Sequence, residues 1–193
     1  MQCCKLKPST GDNKFLFCFD FDQTIVKGHF HHLLYTERSK FVSSDKQISF
    51  DTISSTKLLL EDYRISLKNA DKLREVIQLA LRNGHHVAIT SFTSFPESFA
   101  PTLEKLGLSP AEINVIPGFA GYPAISNVRK NDHLRQAMAK FDMKSNSLVW
   151  LIDDDPVNCS KAREEGFHAV QVPVGPEDNS TDYLQEILKA ASQ

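Results

Sequence analysis

Apolar residues along this chain alternate between solid runs and helical spacing. The run Phe15-Leu16-Phe17-Cys18-Phe19 reads as a buried strand over roughly 14–20. A mixed stretch, about 25–67, follows. It holds His29, His31 and His32, then Leu33-Leu34-Tyr35 and a Ser/Asp-rich patch at 43–55, and predicts one or two short helices and a β-turn ribbon. From Ala70 to Asn83 the period changes. Leu73, Val76, Ile77, Ala80 and Leu81 recur on one helical face, with Asp71 in the first turn and Asn83-Gly84 as the stop. Val87-Ala88-Ile89 predicts a strand ending at Thr90-Ser91, and Pro96 opens a helix that Gly107 stops. The remainder continues in the same way. Strands are expected over 112–116, 148–152 and 168–172, and helices over 130–142 and 157–165. A last helix is lined by Tyr183, Leu184, Ile187 and Leu188, with Ser180 or Thr181 as its cap. Strands alternating with amphipathic helices predict an α/β domain whose sheet is mostly parallel, with helices on both faces. The expected organisation is a loose polar N-terminus, 1–13, and one domain, 14–193, with a small insertion at about 25–67.

Composition adds mostly exclusions. With 193 residues, 41% hydrophobic and 24% charged, the chain can bury a full core as one soluble domain. A net charge of −2 gives no electrostatic case for nucleic acid or general membrane binding. No apolar run approaches the length of a membrane span, and no secretory signal is visible. The cysteines Cys3, Cys4, Cys18 and Cys159 lack zinc-site spacing, and Cys18 falls in a core strand. Gln2 stands where N-myristoylation requires glycine. A reduced, cytoplasmic or otherwise intracellular setting fits these features.

Two acidic clusters suggest chemistry. Asp20 and Asp22 leave the first strand two residues apart, and in extended chain such residues point the same way. Their repulsion needs a cation or a shared proton to offset it. Asp153-Asp154-Asp155 follows the strand Leu148–Ile152 and leads into Pro156-Val157-Asn158. Either cluster alone is compatible with a solvated turn. In a parallel sheet, however, both strand ends meet at one edge. A hard divalent cation such as Mg²⁺ suits these oxygen ligands, and one aspartate can attack while another moves protons.

In order, these residues resemble the haloacid dehalogenase-like (HAD) hydrolases. Asp20-Phe21-Asp22-Gln23-Thr24 matches the DxDxT motif, and Thr90 the hydroxyl residue that ends a strand. Lys130 matches the lysine, and Asp154 to Asn158 the final DDxxxN pattern with Asp153. The resemblance spans roughly 14–175. It implies a Rossmann-like, doubly wound sheet and Mg²⁺-dependent phosphoryl transfer. Asp20 would be the nucleophile and Asp22 the acid and base. Thr90 would donate to a phosphate oxygen, and Lys130 would neutralise charge. Asp20, the Asp22 carbonyl and Asp154 would hold the metal. Thr90 could also simply end its strand, and Arg129 is the runner-up to Lys130. The motif spacing favours Asp154 over Asp153 for the metal and leaves Asp153 to orient water or Lys130. Asp155 is expected to cap the next helix. The histidines at 29, 31 and 32 have no metal partners at recognisable spacing, and His85 and His86 read as surface residues.

An acid at Asp22 favours a phosphatase over a dehalogenase, because a leaving oxygen needs a proton and a halide does not. The insertion is too short for a full cap domain, which implies an open site like that of the capless HAD protein phosphatases. The expected substrate is therefore a phosphoprotein, with phosphotyrosine as the favoured side chain; Phe19, Phe21, Phe92 and Phe95 are candidates to flank its ring, although most of them read as core residues. A metabolite or nucleotide phosphatase is the enzymatic alternative. A receiver-like phospho-acceptor domain is the non-enzymatic one, although its acidic pair would precede its acceptor.

Overall fold

The computed structural model describes residues 14–42, 51–61, 66–93, 95–117, 130–175 and 179–193. The stretch 1–13 with Cys3 and Cys4, Arg129, and parts 43–50 and 62–65 of the expected insertion lie outside the described residues.

The strands are β1 (Leu16–Phe19), β2 (His86–Ser91), β3 (Asn114–Pro117), β4 (Val149–Asp153) and β5 (His168–Gln171). They form a parallel sheet of order β3-β2-β1-β4-β5. The chain is thus an α/β, doubly wound, Rossmann-like fold. β1 is central, and all four of its residues are buried. Phe17 and Phe19 project into one core with Val87, Ile89, Trp150 and Ile152. Leu16 and Cys18 project into the other with Ala88, Val149 and Leu151. Helices cover both faces, so β1 reads as an unbroken apolar run and not as an alternating one.

On the first face, α3 (Ala70–Arg82) and α7 (Asp182–Ala191) bury Leu73, Val76, Ile77, Leu184 and Ile187. Each such side chain contributes about 1.5–3 kcal/mol relative to exposure. On the second face, α5 (Lys130–Lys140) and α6 (Pro156–Glu164) bury Leu134, Ala137, Cys159 and Ala162. Gly84, at φ +80°, reverses the chain between α3 and β2 in a left-handed conformation that favours glycine. α4 (Phe99–Lys105) starts after a 3₁₀ turn at Pro96–Ser98, where the proline predicted a helix start.

The segment after β1 contains α1 (Phe30–Val42) and α2 (Thr52–Glu61). Among the described residues it has no ribbon, only isolated bridges from Val26 to Asp22 and Leu67. Phe30, Leu34, Leu59 and Leu60 join the same core as β1. Among the described residues, no helix is long and apolar enough to cross a membrane.

Candidate active site

The strand order changes direction at β1, so the carboxyl ends of β1 and β4 open a crevice where their outgoing connections diverge. Residues at that edge line a cavity of about 550 Å³. Asp20 directly follows β1, and its N–H continues the ladder by donating to the Ile152 carbonyl at 2.8 Å. Asp153 ends β4 and pairs with Gln171 of β5. The register thus brings two carboxylates from distant sequence positions side by side. Oxygens of Asp20, Asp153 and Asp154 lie within 4.8 Å of one another.

Lys130, the first residue of α5, sends its ammonium into this cluster and is 1% exposed. It donates to Asp20 Oδ1 and, at 2.8 Å, to the Thr90 carbonyl. It also sits 3.2 Å from Asp153 Oδ2. Burial opposes its charge, but Asp20 and Asp153 more than offset this, so its pKa lies above the ordinary lysine value. Burial pushes Asp20 up to about 7; Lys130 counteracts this, while Asp153 and Asp154 add to it. Asp154 is raised by burial and then by Asp153. One ammonium faces three carboxylates, and that surplus negative charge marks a place for a cation.

The two adjacent aspartates differ in what they already bind. Asp153 Oδ1 accepts from the Asp155 N–H at 2.9 Å and from Asn158 Nδ2 at 3.1 Å. Its Oδ2 faces Lys130 and Asn158. Asp154 accepts one side-chain bond, from Gln23 Nε2 to Oδ2 at 3.0 Å. Asp155 caps α6 by accepting from the Val157 N–H at 2.8 Å.

Asp22 also lines the cavity. Its Oδ1 accepts from the Phe30 N–H at 2.8 Å, at the start of α1. Burial raises its pKa; the backbone N–H groups of Phe30 and His31 and the side chains of His29 and His31 pull it partway back.

The two hydroxyl residues at the end of β2 sit differently. Thr90 is fully buried, its Oγ1 has no hydrogen-bond partner, and it does not line the cavity. Its neighbour Ser91 does. Aromatic residues divide similarly. Phe19, Phe21 and Phe95 are buried in the core, whereas Phe92 lines the cavity and is 48% exposed. The Phe92 ring lies against the buried imidazole of His133, centroids 4.3 Å apart, with Lys130 Nζ 5.1 Å from its centroid. Burial, with help from Lys130, pushes His133 down to about 4, so it is neutral.

Sequence reasoning missed Gln23, His29, His31 and Val174, which also line the cavity. The histidines gave no metal-ligand spacing, and nothing in the local pattern marks Gln23 or Val174. His85, read as a surface residue, is buried, and its Nδ1 accepts from the Phe15 N–H at 3.2 Å.

No family model matches the chain, and no curated protein matches it in sequence. Solved structures do match. CbbY from Rhodobacter sphaeroides, in complex with phosphate, aligns with a TM-score of 0.57 and 17% identity over 84% of this chain and 87% of its own. The HAD domain of the effector protein Lem4 from Legionella pneumophila aligns with a TM-score of 0.55 and 15% identity over 92% of each chain. A phosphoserine phosphatase, solved as a phospho-aspartyl intermediate analogue, aligns with a TM-score of 0.52 and 18% identity over 92% of this chain and 98% of its own. At these identities the likeness is one of fold, and the fold is that of the HAD-like hydrolases.

Proposed function

We propose that this chain is a Mg²⁺-dependent phosphatase that works through an aspartyl-phosphate on Asp20, with phosphorylated protein side chains, phosphotyrosine above all, as substrates. The observation that carries this reading is the setting of Asp20. It stands at the carboxyl end of the central strand, bonded to Lys130, with Asp153 and Asp154 oxygens within 4.8 Å. The neighbours solved with phosphate and as a phospho-aspartyl analogue share this fold, which supports the same chemistry here.

The residues fit the metal. The donors are all oxygen, which suits a hard cation, and they carry more negative charge than Lys130 offsets. Asp20, Asp154 and the backbone carbonyl of Asp22 would hold it, because both Asp153 oxygens are engaged. Bound Mg²⁺ would neutralise charge so that an anionic nucleophile can meet an anionic phosphoryl group.

An ionised oxygen of Asp20 attacks phosphorus, and the bond from phosphorus to the leaving oxygen breaks. Asp22 donates a proton to that oxygen. The Phe30 N–H, donating to Asp22 Oδ1, holds the carboxyl group in place at the cavity. Asp22 then takes a proton from water as the water oxygen attacks the phosphorus of the acyl phosphate, releasing phosphate and restoring Asp20. A hydroxyl at the end of β2 donates to a phosphate oxygen. Ser91, which lines the cavity, takes the role that the motif order suggests for Thr90. Lys130 holds Asp20 in place and offsets charge on the phosphoryl group.

The substrate class rests on the rim. The insertion at 25–67 is read as a minimal cap on one catalytic domain, 14–193. Its buried apolar residues pack into the main core, while Phe92 and Val174 at the cavity stay 48% and 43% exposed. An open apolar rim suits a side chain presented by a large partner, and Phe92 offers a ring face to an aryl group. Buried, free Cys18 and Cys159 fit a reducing intracellular setting.

The test is kcat/KM across a phosphotyrosine peptide, a phosphoserine peptide, a nucleoside monophosphate and a hexose phosphate, with Mg²⁺ and after chelation. The phosphotyrosine peptide should lead, and chelation should abolish turnover. Preference for a small metabolite would overturn the substrate assignment, and undiminished activity after chelation would overturn the metal.

A further inference from the structure

Gln23 sits between the two acidic clusters in an unusual conformation. Its φ is +57°, the left-handed region that favours glycine and costs other residues strain. Nevertheless its backbone is tied at both ends. Its N–H donates to the Gly28 carbonyl at 3.1 Å. Its carbonyl accepts from Lys68 Nζ at 3.1 Å, and Lys68, fully buried, also donates to the Pro173 carbonyl. One buried ammonium thus joins the turn after β1 to the loop after β5, and Gln23 and Val174 from these two segments both line the cavity.

The side chain of Gln23 is equally committed. Its Nε2 donates to Asp154 Oδ2 at 3.0 Å and lies 3.3 Å from His29 Nε2. A carboxylate can only accept, which fixes the amide with its NH₂ toward Asp154. The second amide hydrogen then has His29 Nε2 as acceptor when the imidazole carries its proton on Nδ1. Asp154 has no other side-chain donor among the described contacts, in contrast to Asp153 with Lys130 and Asn158.

We propose that Gln23 is a positioning residue that orients the Asp154 carboxylate for the metal. A strained backbone is held there because it aims the amide across the cleft. The inference rests on the metal-dependent reading above. Gln23 touches neither the phosphoryl group nor the nucleophile in this account. Its contribution is to restrict the rotation of a carboxylate that lines the cavity beside the oxygens of Asp20 and Asp153.

Gln23→Gly separates positioning from folding. Glycine accepts φ +57° freely, so the metal-free variant should melt no lower than the natural protein, while the bond to Asp154 is lost. Mg²⁺ affinity, read by calorimetry or by the rise in melting temperature with added MgCl₂, should fall about 10-fold or more. Gln23→Asn, which tolerates a positive φ but is one methylene too short to reach Asp154, should weaken Mg²⁺ binding in the same way. Wild-type affinity in folded Gln23→Gly overturns the inference and leaves the proposed function standing. A wild type that binds no Mg²⁺ overturns both.

Discussion

Lys130 and Asp153 form an ion pair at 3.2 Å in which both side chains are 1% exposed. Lys130 also bonds Asp20, so a single ammonium is shared between the strand ends of β1 and β4. Removing one partner of a buried pair leaves an uncompensated charge and costs about 3–5 kcal/mol. Lys130→Met should therefore lower unfolding free energy in urea by roughly that amount. Adding Asp153→Asn in the same chain should recover part of the loss, since the two residues act on each other. A single variant as stable as the natural protein would contradict this view of the cluster.

Thr90 and Ser91 should behave oppositely. Thr90→Val replaces a buried hydroxyl that has no partner with a methyl of similar shape. Stability should hold or rise by up to about 1 kcal/mol, and kcat/KM should stay near its natural value. Ser91→Ala removes a donor at the cavity and should lower kcat/KM by roughly 10²-fold. Steady-state kinetics on one aryl phosphate decides between the two hydroxyls.

His133 supplies a pH prediction whose sign is set by burial. Its folded-state pKa, about 4, lies below the ordinary value of 6.5. The unfolded chain therefore binds a proton that the folded one refuses, and stability is lost as pH falls from that ordinary value toward the folded one. His133→Phe keeps a ring beside Phe92 and removes the titration. Its stability relative to the natural protein should grow as the solution is acidified, by on the order of 2 kcal/mol near pH 5. Denaturation midpoints of both proteins at neutral and acidic pH provide the check, and a constant difference would refute the assignment.

Phe92 should matter for aryl substrates and little else. Its exposed ring lines the cavity, with His133 and Lys130 supporting it. A stacked aromatic contact is worth about 0.5–1.5 kcal/mol, so Phe92→Leu should cut kcat/KM for a phosphotyrosine peptide roughly 2- to 10-fold. The phosphoserine peptide should change less, and Phe92→Tyr should restore the preference. Equal losses on both peptides would place Phe92 outside substrate recognition.

Much of the scaffold was legible because solid apolar runs and helical spacing are local signals. Phe15 to Phe19 and Leu148 to Ile152 marked adjacent strands, and acids directly after both runs marked one sheet edge. Lys130 and Asp20 were expected together, and the structure bonds them. The choice between Thr90 and Ser91 was not legible. The hydrophobic run stops at Ile89, but β2 continues until Ser91 pairs with Pro117, and only that register shows which residue reaches the cavity. The second helix of the segment 25–67 was blurred because it buries a narrow strip, Thr56, Leu59 and Leu60. Gln23 and Asp154 stand 131 positions apart, and a side-chain bond over that distance leaves no periodic trace.

Everything proposed for this site turns on a covalent bond between Asp20 and phosphorus. The direct measurement is acid quenching of the protein during turnover of a ³²P-labelled phosphotyrosine peptide with Mg²⁺, followed by mapping of the labelled residue. An acid-stable, hydroxylamine-labile label should appear on Asp20, with neither label nor turnover in a folded Asp20→Asn variant. Turnover by that variant, or label on another residue, would contradict that bond.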